Sequence, residues 1–215
     1  MKTLAILARK GGAGKTTLAV HLAVIAMQAG KRVLLVDTDP QRSTAAWWRS
    51  RLASEPELVE CLASKLPDVL KAARAAGVDL AVVDTRPSVE ADTTLVARLA
   101  DLVLIPTRPA ILDLRAIGAT VEVVQAAKRS AVIVLNAAPP ARGTGEAPTT
   151  AEARTALAAY GLPVAPMAIG NRAALAHALT GGLAVTEFEP AGKAAAELHA
   201  LFELVKDRLW PAARK

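Results

Sequence analysis

The run Lys10-Gly11-Gly12-Ala13-Gly14-Lys15-Thr16-Thr17 combines the residue types that phosphate binding needs. Glycines let a backbone wrap closely, so that successive N–H groups point inward at phosphate oxygens. Lys15 is spaced to reach the β- and γ-phosphates of a nucleoside triphosphate, and the Thr16 hydroxyl to ligate Mg²⁺. The run lies between a short apolar segment, Thr3–Ala8, and a helical-period segment, Lys15–Ala29. The positive end of a helix dipole would therefore add to the cradle. The general phosphate-loop pattern asks for glycine five positions before Gly14, where this chain has Arg9.

Triphosphate hydrolysis also needs carboxylates on neighbouring strand ends, facing the metal and the attacking water. Asp84 ends the apolar run Leu80-Ala81-Val82-Val83 and fits a metal-site acid, held to Mg²⁺ directly or through water. Asp37 ends Val33-Leu34-Leu35-Val36 and is followed by Thr38-Asp39-Pro40-Gln41. It is predicted to reach the metal and to orient the attacking water, with Asp39 as a third acid. Strand-end acids can also simply cap the next turn, as Asp39 before Pro40 can.

Positioning these groups calls for parallel strands covered by helices on both faces, and the chain alternates in that way. Strands are predicted at Thr3–Ala8, Lys31–Asp37, Asp79–Asp84, Asp101–Pro106, Ala131–Asn136 and Val164–Ile169. Helices are predicted at Lys15–Ala29, Ser43–Ala53, Leu66–Ala76, Ala91–Ala100, Leu112–Arg129, Thr150–Tyr160, Arg172–Leu179 and Gly192–Leu209. Ala137–Pro148 is a Pro/Gly-rich loop. The expectation is an α/β, doubly wound, mostly parallel sheet forming one domain over residues 1–215.

Composition agrees. Hydrophobic residues make up 53% of the 215, and although 48 are alanine, the larger apolar types suffice for a core. A single cysteine, Cys61, excludes an intramolecular disulfide framework and any multi-cysteine metal site. The net charge is +6, with +3 in each half and no basic arm, so any anion-binding patch must be assembled by folding or dimerisation. No stretch approaches a membrane span, and a soluble cytoplasmic protein is expected.

These motifs together resemble the ParA/MinD family of P-loop ATPases. The family's deviant phosphate loop, K-G-G-x-G-K-[ST], is matched by Lys10 to Thr16, and its D-x-D-P-Q by Asp37 to Gln41. Leu80 to Asp84 matches the metal-site strand, and the stretch from Gly170-Asn171-Arg172 to Gly192-Lys193 looks like the family's C-terminal region. The resemblance implies ATP and Mg²⁺ as cofactors, and an ATP-dependent homodimer in which Lys10 reaches the partner's phosphates. It also implies nonspecific DNA binding and slow hydrolysis stimulated by a ParB-like or adaptor protein. The D-x-D-P-Q form points to the branch that partitions plasmids, chromosomes or other cargo. Only 14 residues precede Lys15, so no amino-terminal helix-turn-helix domain is expected. Alternatives are a MinD-like or other cargo-positioning ATPase, or a small-molecule synthetase of related fold.

Asn136 and Pro190 are candidate contacts to the base, beside their plainer readings as a turn residue and a helix-starting proline. Arg172 and Lys193 are the main DNA-binding candidates, with Arg142 and Arg154 behind them. The Trp47-Trp48 pair reads as packing. The stripe Leu198, Leu201, Phe202, Val205 and Leu209 carries a mixed-charge polar face, unlike a lipid-binding helix. The most direct consequence concerns Lys15, the main protein cation for the β/γ-phosphates. Lys15→Ala should abolish ATP binding in a direct titration, and retained affinity would contradict the phosphate-loop assignment.

Overall fold

The computed structural model describes residues 1–87, 90–140 and 145–211. Six strands form one parallel sheet: β1 (Lys2–Ile6), β2 (Val33–Asp37), β3 (Glu57–Glu60), β4 (Leu80–Asp84), β5 (Leu102–Thr107) and β6 (Ser130–Leu135), in the order β3-β2-β4-β1-β5-β6. The interior strands are buried on both faces, so their residues alternate between two cores. Leu4, Ile6, Leu80, Val82, Leu102 and Leu104 face one side. Ala5, Leu7, Ala81, Val83, Val103 and Ile105 face the other. This two-sided burial explains why the strands read as continuous apolar runs.

The first core is closed by α1 (Lys15–Gln28), α2 (Ser43–Ser50), α8 (Ala173–Thr180), α9 (Val185–Phe188) and α10 (Lys193–Leu209). Against the second core pack α3 (Leu66–Ala75), α4 (Glu90–Leu99), α6 (Gly118–Ala126) and α7 (Pro148–Ala158). A short α5 (Ile111–Ala116) precedes α6. The chain leaves β1 toward β2 on one side and later crosses to β5 on the other, which places a crevice at the carboxyl end of β1. That crevice is where the glycine-rich loop begins.

The elements depart from the sequence reading at several places, among them the short α9, for which no helix was expected. The edge strand β3 was not expected. It is four residues long, with Glu57 and Glu60 exposed or half-exposed at its ends, a pattern that blunts an exposed sheet edge and hides the strand. The predicted strand Val164–Ile169 is reduced to isolated bridges, Ile133↔Val164 and Ala138↔Gly170. The Ala165 and Ile169 amides still donate to Ile133 O and Leu135 O at 2.8 and 2.9 Å. Pro166 between them has no N–H to extend the ladder. The long helix expected over Leu112–Arg129 is two helices separated by Ile117, which keeps near-helical dihedrals of φ −70° and ψ −28°.

The packing readings hold for the two tryptophans and the last helix. The Trp47 and Trp48 indoles donate to Leu183 O (3.2 Å) and Pro56 O (2.7 Å). Leu198, Leu201, Phe202, Val205 and Leu209 are all buried, and among the described residues no helix is long and apolar enough to cross a membrane.

The end of α2 is clamped to the α8–α9 turn. Arg51, with a side chain only 2% exposed, donates to both Glu187 oxygens (2.7 and 2.6 Å), to Gly182 O (3.0 Å) and to Glu55 O (2.7 Å). A Cβ on Gly182, where φ is +69°, would sit 2.5 Å from Ser50 O, so the two turns meet backbone to backbone. Behind them the buried His21 accepts the Val185 N–H at Nδ1, and burial pushes its pKa down to about 4 against the opposing pull of Glu187. Removing one partner of such a pair strands the other charge. Arg51→Ala should destabilise the fold by about 2–3 kcal/mol, a melting shift of roughly 5–10 °C for a chain of this size. An unchanged thermal midpoint would contradict the clamp.

Candidate functional site

At the carboxyl end of β1 the chain turns through Lys10–Gly14 into α1 and outlines a cavity of about 510 Å³. Gly14 caps the helix at φ +93°, a backbone conformation that disfavours any side chain. A Cβ there would lie 2.0 Å from Asn136 Nδ2. The helix has no side-chain cap and no acid in its first turn, so its leading N–H groups are left for an anion. Gly11, Gly12, Gly14, Lys15, Thr16 and Thr17 all line the cavity, while Ala13 is buried behind the loop. Lys15 is 6% exposed and has no ion-pair partner among the described residues. Burial pushes its pKa down, with Asp84 and Asp39 opposing. A buried lysine in this position calls for an anionic ligand.

Asp84 ends β4 in the adjoining strand and is fully buried. Its Oδ2 accepts the Thr16 and Thr44 hydroxyls, each at 2.6 Å, whereas Oδ1 has no partner. Burial pushes this carboxyl up to about 6, although the two hydroxyls and Lys15 pull it down. An orphaned buried oxygen beside a threonine hydroxyl and a phosphate cradle fits a Mg²⁺ site. One hydroxyl and one carboxylate leave the remaining octahedral positions to phosphate and water, the usual way this ion is held.

The two acids of the D-x-D-P-Q stretch divide. Asp37, expected at the metal and the attacking water, accepts the backbone N–H groups of Asp39 at 3.0 Å and Ala45 at 3.0 Å, one on each carboxylate oxygen, which leaves acceptor capacity on both. Burial pushes its pKa up, opposed by those hydrogen bonds. Like Asp84 it lies behind the cavity lining, and it sits in register with Asp84 at the end of the neighbouring strand. It fixes the turn from β2 into α2. Asp39 lines the cavity, with Gln41 and Ser43 beside it, and shapes its own turn by accepting the Gln41 N–H at 2.9 Å.

The remaining candidates are placed as follows. Lys10 is bound to Asp113 at 2.7 Å, with 40% of its side chain exposed beside a nearly buried carboxylate. Asn136 lines the cavity, but its amide is directed to Ala13 O at 2.8 Å, so it braces the phosphate loop. Pro190, expected near the base, is exposed in the turn between α9 and α10 and does not line the cavity. Nor does it start a helix, since α10 is capped by Gly192. Arg172, a DNA-binding candidate, lines the cavity and pairs with Glu197, which also accepts the Gly170 N–H at 3.0 Å. Arg154 is likewise committed to Glu146. Lys193 is exposed at the start of α10. Arg142 lies outside the described residues.

Sequence reasoning missed Thr44, Asp113 and Glu197. Thr44 could have been suspected as a hydroxyl at a helix start, but nothing local marks the other two, whose partners are 103 and 25 residues away.

The family model described as "CobQ/CobB/MinD/ParA nucleotide binding domain" matches residues 4–185. The chain belongs to this family. Among curated relatives, it is 37% identical over 220 residues to "Maintenance of carboxysome distribution protein A" of Gloeobacter kilaueensis, covering 97% of this chain and 94% of that protein. It is 32% identical over 205 residues to the protein of the same name from Halothiobacillus neapolitanus, covering 91% of each. Among solved structures, Cyanothece McdA without nucleotide superposes with a TM-score of 0.79 at 19% identity, covering 97% of this chain and 99% of the other. The P-loop fold and the ParA/MinD assignment made from the motifs thus stand.

The raised Asp84 pKa has a testable sign. The folded chain takes up this proton more readily than the unfolded one, so the residue's cost to stability grows as pH rises through about 6. Asp84→Asn should therefore be more stable than wild type at pH 7.5, by up to about 3 kcal/mol, with the gap closing toward pH 4. The same variant should lose the Mg²⁺-dependent part of its nucleotide affinity. Lower stability of the variant at pH 7.5 would contradict the account of Asp84.

Proposed function

We propose that the protein is an ATPase that dimerises on ATP and positions a large cargo over nonspecific DNA, with an adaptor protein stimulating turnover. The observation that carries this reading is the near-full-length likeness to carboxysome distribution proteins in a chain whose cavity holds a buried, unpaired Lys15. That likeness favours a protein-assembly cargo of the carboxysome kind over the plasmid or chromosome partition expected from the motifs alone.

In this scheme the loop amides and Lys15 hold the phosphates, while Thr16 and Asp84 hold Mg²⁺, which when bound neutralises charge on the β/γ-phosphates. Asp37, in register with Asp84, orients the attacking water, with Asp39 lining the cavity beside it. Asp37 also fixes the turn that presents Asp39. Lys10 completes the partner subunit's site, for which it must exchange Asp113 for phosphate. Bringing two triphosphate-bearing faces together is costly unless cations lie between them. DNA is held through solvated cations such as Lys193, whose contribution doubles on dimerisation.

DNA binding measured with ATP, ADP and no nucleotide tests this. Wild type should bind with ATP only, and light scattering should show a dimer. Lys10→Ala should bind ATP as a monomer and show about half the wild-type salt slope on DNA, because log affinity falls with log salt in proportion to phosphate contacts. Nucleotide-independent DNA binding, or a Lys10→Ala variant that still dimerises, would contradict the switch. For the cargo, deletion of the gene should disperse or cluster protein compartments and leave plasmid retention unchanged. Plasmid loss with compartments in place would favour partition.

A further inference from the structure

Arg108 follows the last residue of β5 and lines the nucleotide cavity beside Gly11 and Gly12. A Cβ on Gly12, where φ is +72°, would lie 3.4 Å from the Arg108 Nη2 and 3.9 Å from its Cζ. The guanidinium therefore packs on the outer turn of the phosphate loop, at ordinary contact distance from where a Gly12 side chain would begin. Two other cations carry acids: Lys10 has Asp113 at 2.7 Å and Arg86 has Asp92 at 2.6 Å. Arg108 has no ion-pair partner among the described residues, and its hydrogen bonding there is limited to its carbonyl accepting the Thr107 hydroxyl at 3.4 Å.

A guanidinium is a planar fork whose geometry matches phosphate oxygens, and a charge-assisted pair is about twice as strong as a neutral one. Lys15 and the leading amides of α1 stand at the inner end of the loop, where they serve the β-phosphate that ADP and ATP share, with Lys15 reaching on toward the γ-phosphate. Gly11 and Gly12 form the exposed outer turn and line the cavity together with Arg108. We propose that Arg108 contacts the terminal phosphate of the nucleotide in its own subunit, and so makes the cavity distinguish ATP from ADP. This rests on the ATP-binding reading above and assigns the specificity of that site to a residue outside its sequence motifs.

The test is equilibrium binding of ADP and of a non-hydrolysable ATP analogue, both with Mg²⁺, to wild type, Arg108→Ala and Arg108→Lys. Measurements are made at concentrations where light scattering reports monomer, so that dimerisation does not feed into affinity. Arg108 is exposed, so both variants should keep the wild-type melting temperature. Arg108→Ala should bind the ATP analogue about tenfold or more weakly while its ADP affinity stays within about twofold. Arg108→Lys, which keeps the charge and loses the fork, should fall between. Equal weakening of both nucleotides, or no weakening of either, would overturn the proposal. Lys15→Ala, run alongside, should lose both nucleotides. A wild type that binds neither would show that the ATP reading itself fails.

Discussion

A single oxygen, Asp84 Oδ2, accepts hydroxyl hydrogen bonds from the first turns of two helices, through Thr16 of α1 and Thr44 of α2. Everything around the cavity depends on this joint. It fastens the phosphate loop to the loop that carries Asp39, and it does so at the buried end of a central strand where neither helix can drift independently. A neutral side chain could make part of this arrangement, but only an acid also leaves a second carboxylate oxygen, Oδ1, buried without a partner. The carboxylate is costly to bury, as its pKa near 6 reflects, and a bound cation would remove that cost. The site is thus built to be completed by its ligand.

The same logic runs through the cations. Lys15 is buried without an ion pair, Arg108 stands over Gly12 without one, and Lys10 is held by an acid in an otherwise exposed position. Positive charge is thus arranged in depth, from the helix N-terminus outward to the rim. At the far side, the Arg51–Glu187 clamp ties α2 to the C-terminal helices. A shift of the Asp39 loop would therefore be felt at α8, whose Leu175, Ala176 and Leu179 form another wall of the cavity.

Much of this was legible in the sequence because the central strands are continuous apolar runs and the phosphate loop must be glycine-rich to pass close to oxygen atoms. Lys15, Thr16 and Asp84 sit where their spacing placed them. Glu57–Glu60 was illegible because an edge strand of four residues leaves no periodicity, and Val164–Ile169 was over-read because Pro163 and Pro166 were weighed less than the apolar pattern. Asp37 was ranked ahead of Asp39 because it ends the apolar run, and it does end β2 in register with Asp84, while Asp39 falls in the turn beyond. Arg172 read as a surface cation for want of any local sign of Glu197. Residues whose roles are set by partners far along the chain are those that one sequence cannot assign.

The central claim is that Asp84 couples the nucleotide loop to the Asp39 loop, and hydrogen exchange measures this most directly. With Mg²⁺ and a non-hydrolysable ATP analogue, amides of residues 11–17 and of residues 38–45 should both exchange more slowly than in the nucleotide-free protein. In Thr44→Val, which removes one of the two hydroxyls from Oδ2, protection of 11–17 should persist while that of 38–45 is lost. Equal protection of both segments in the variant would contradict the coupling.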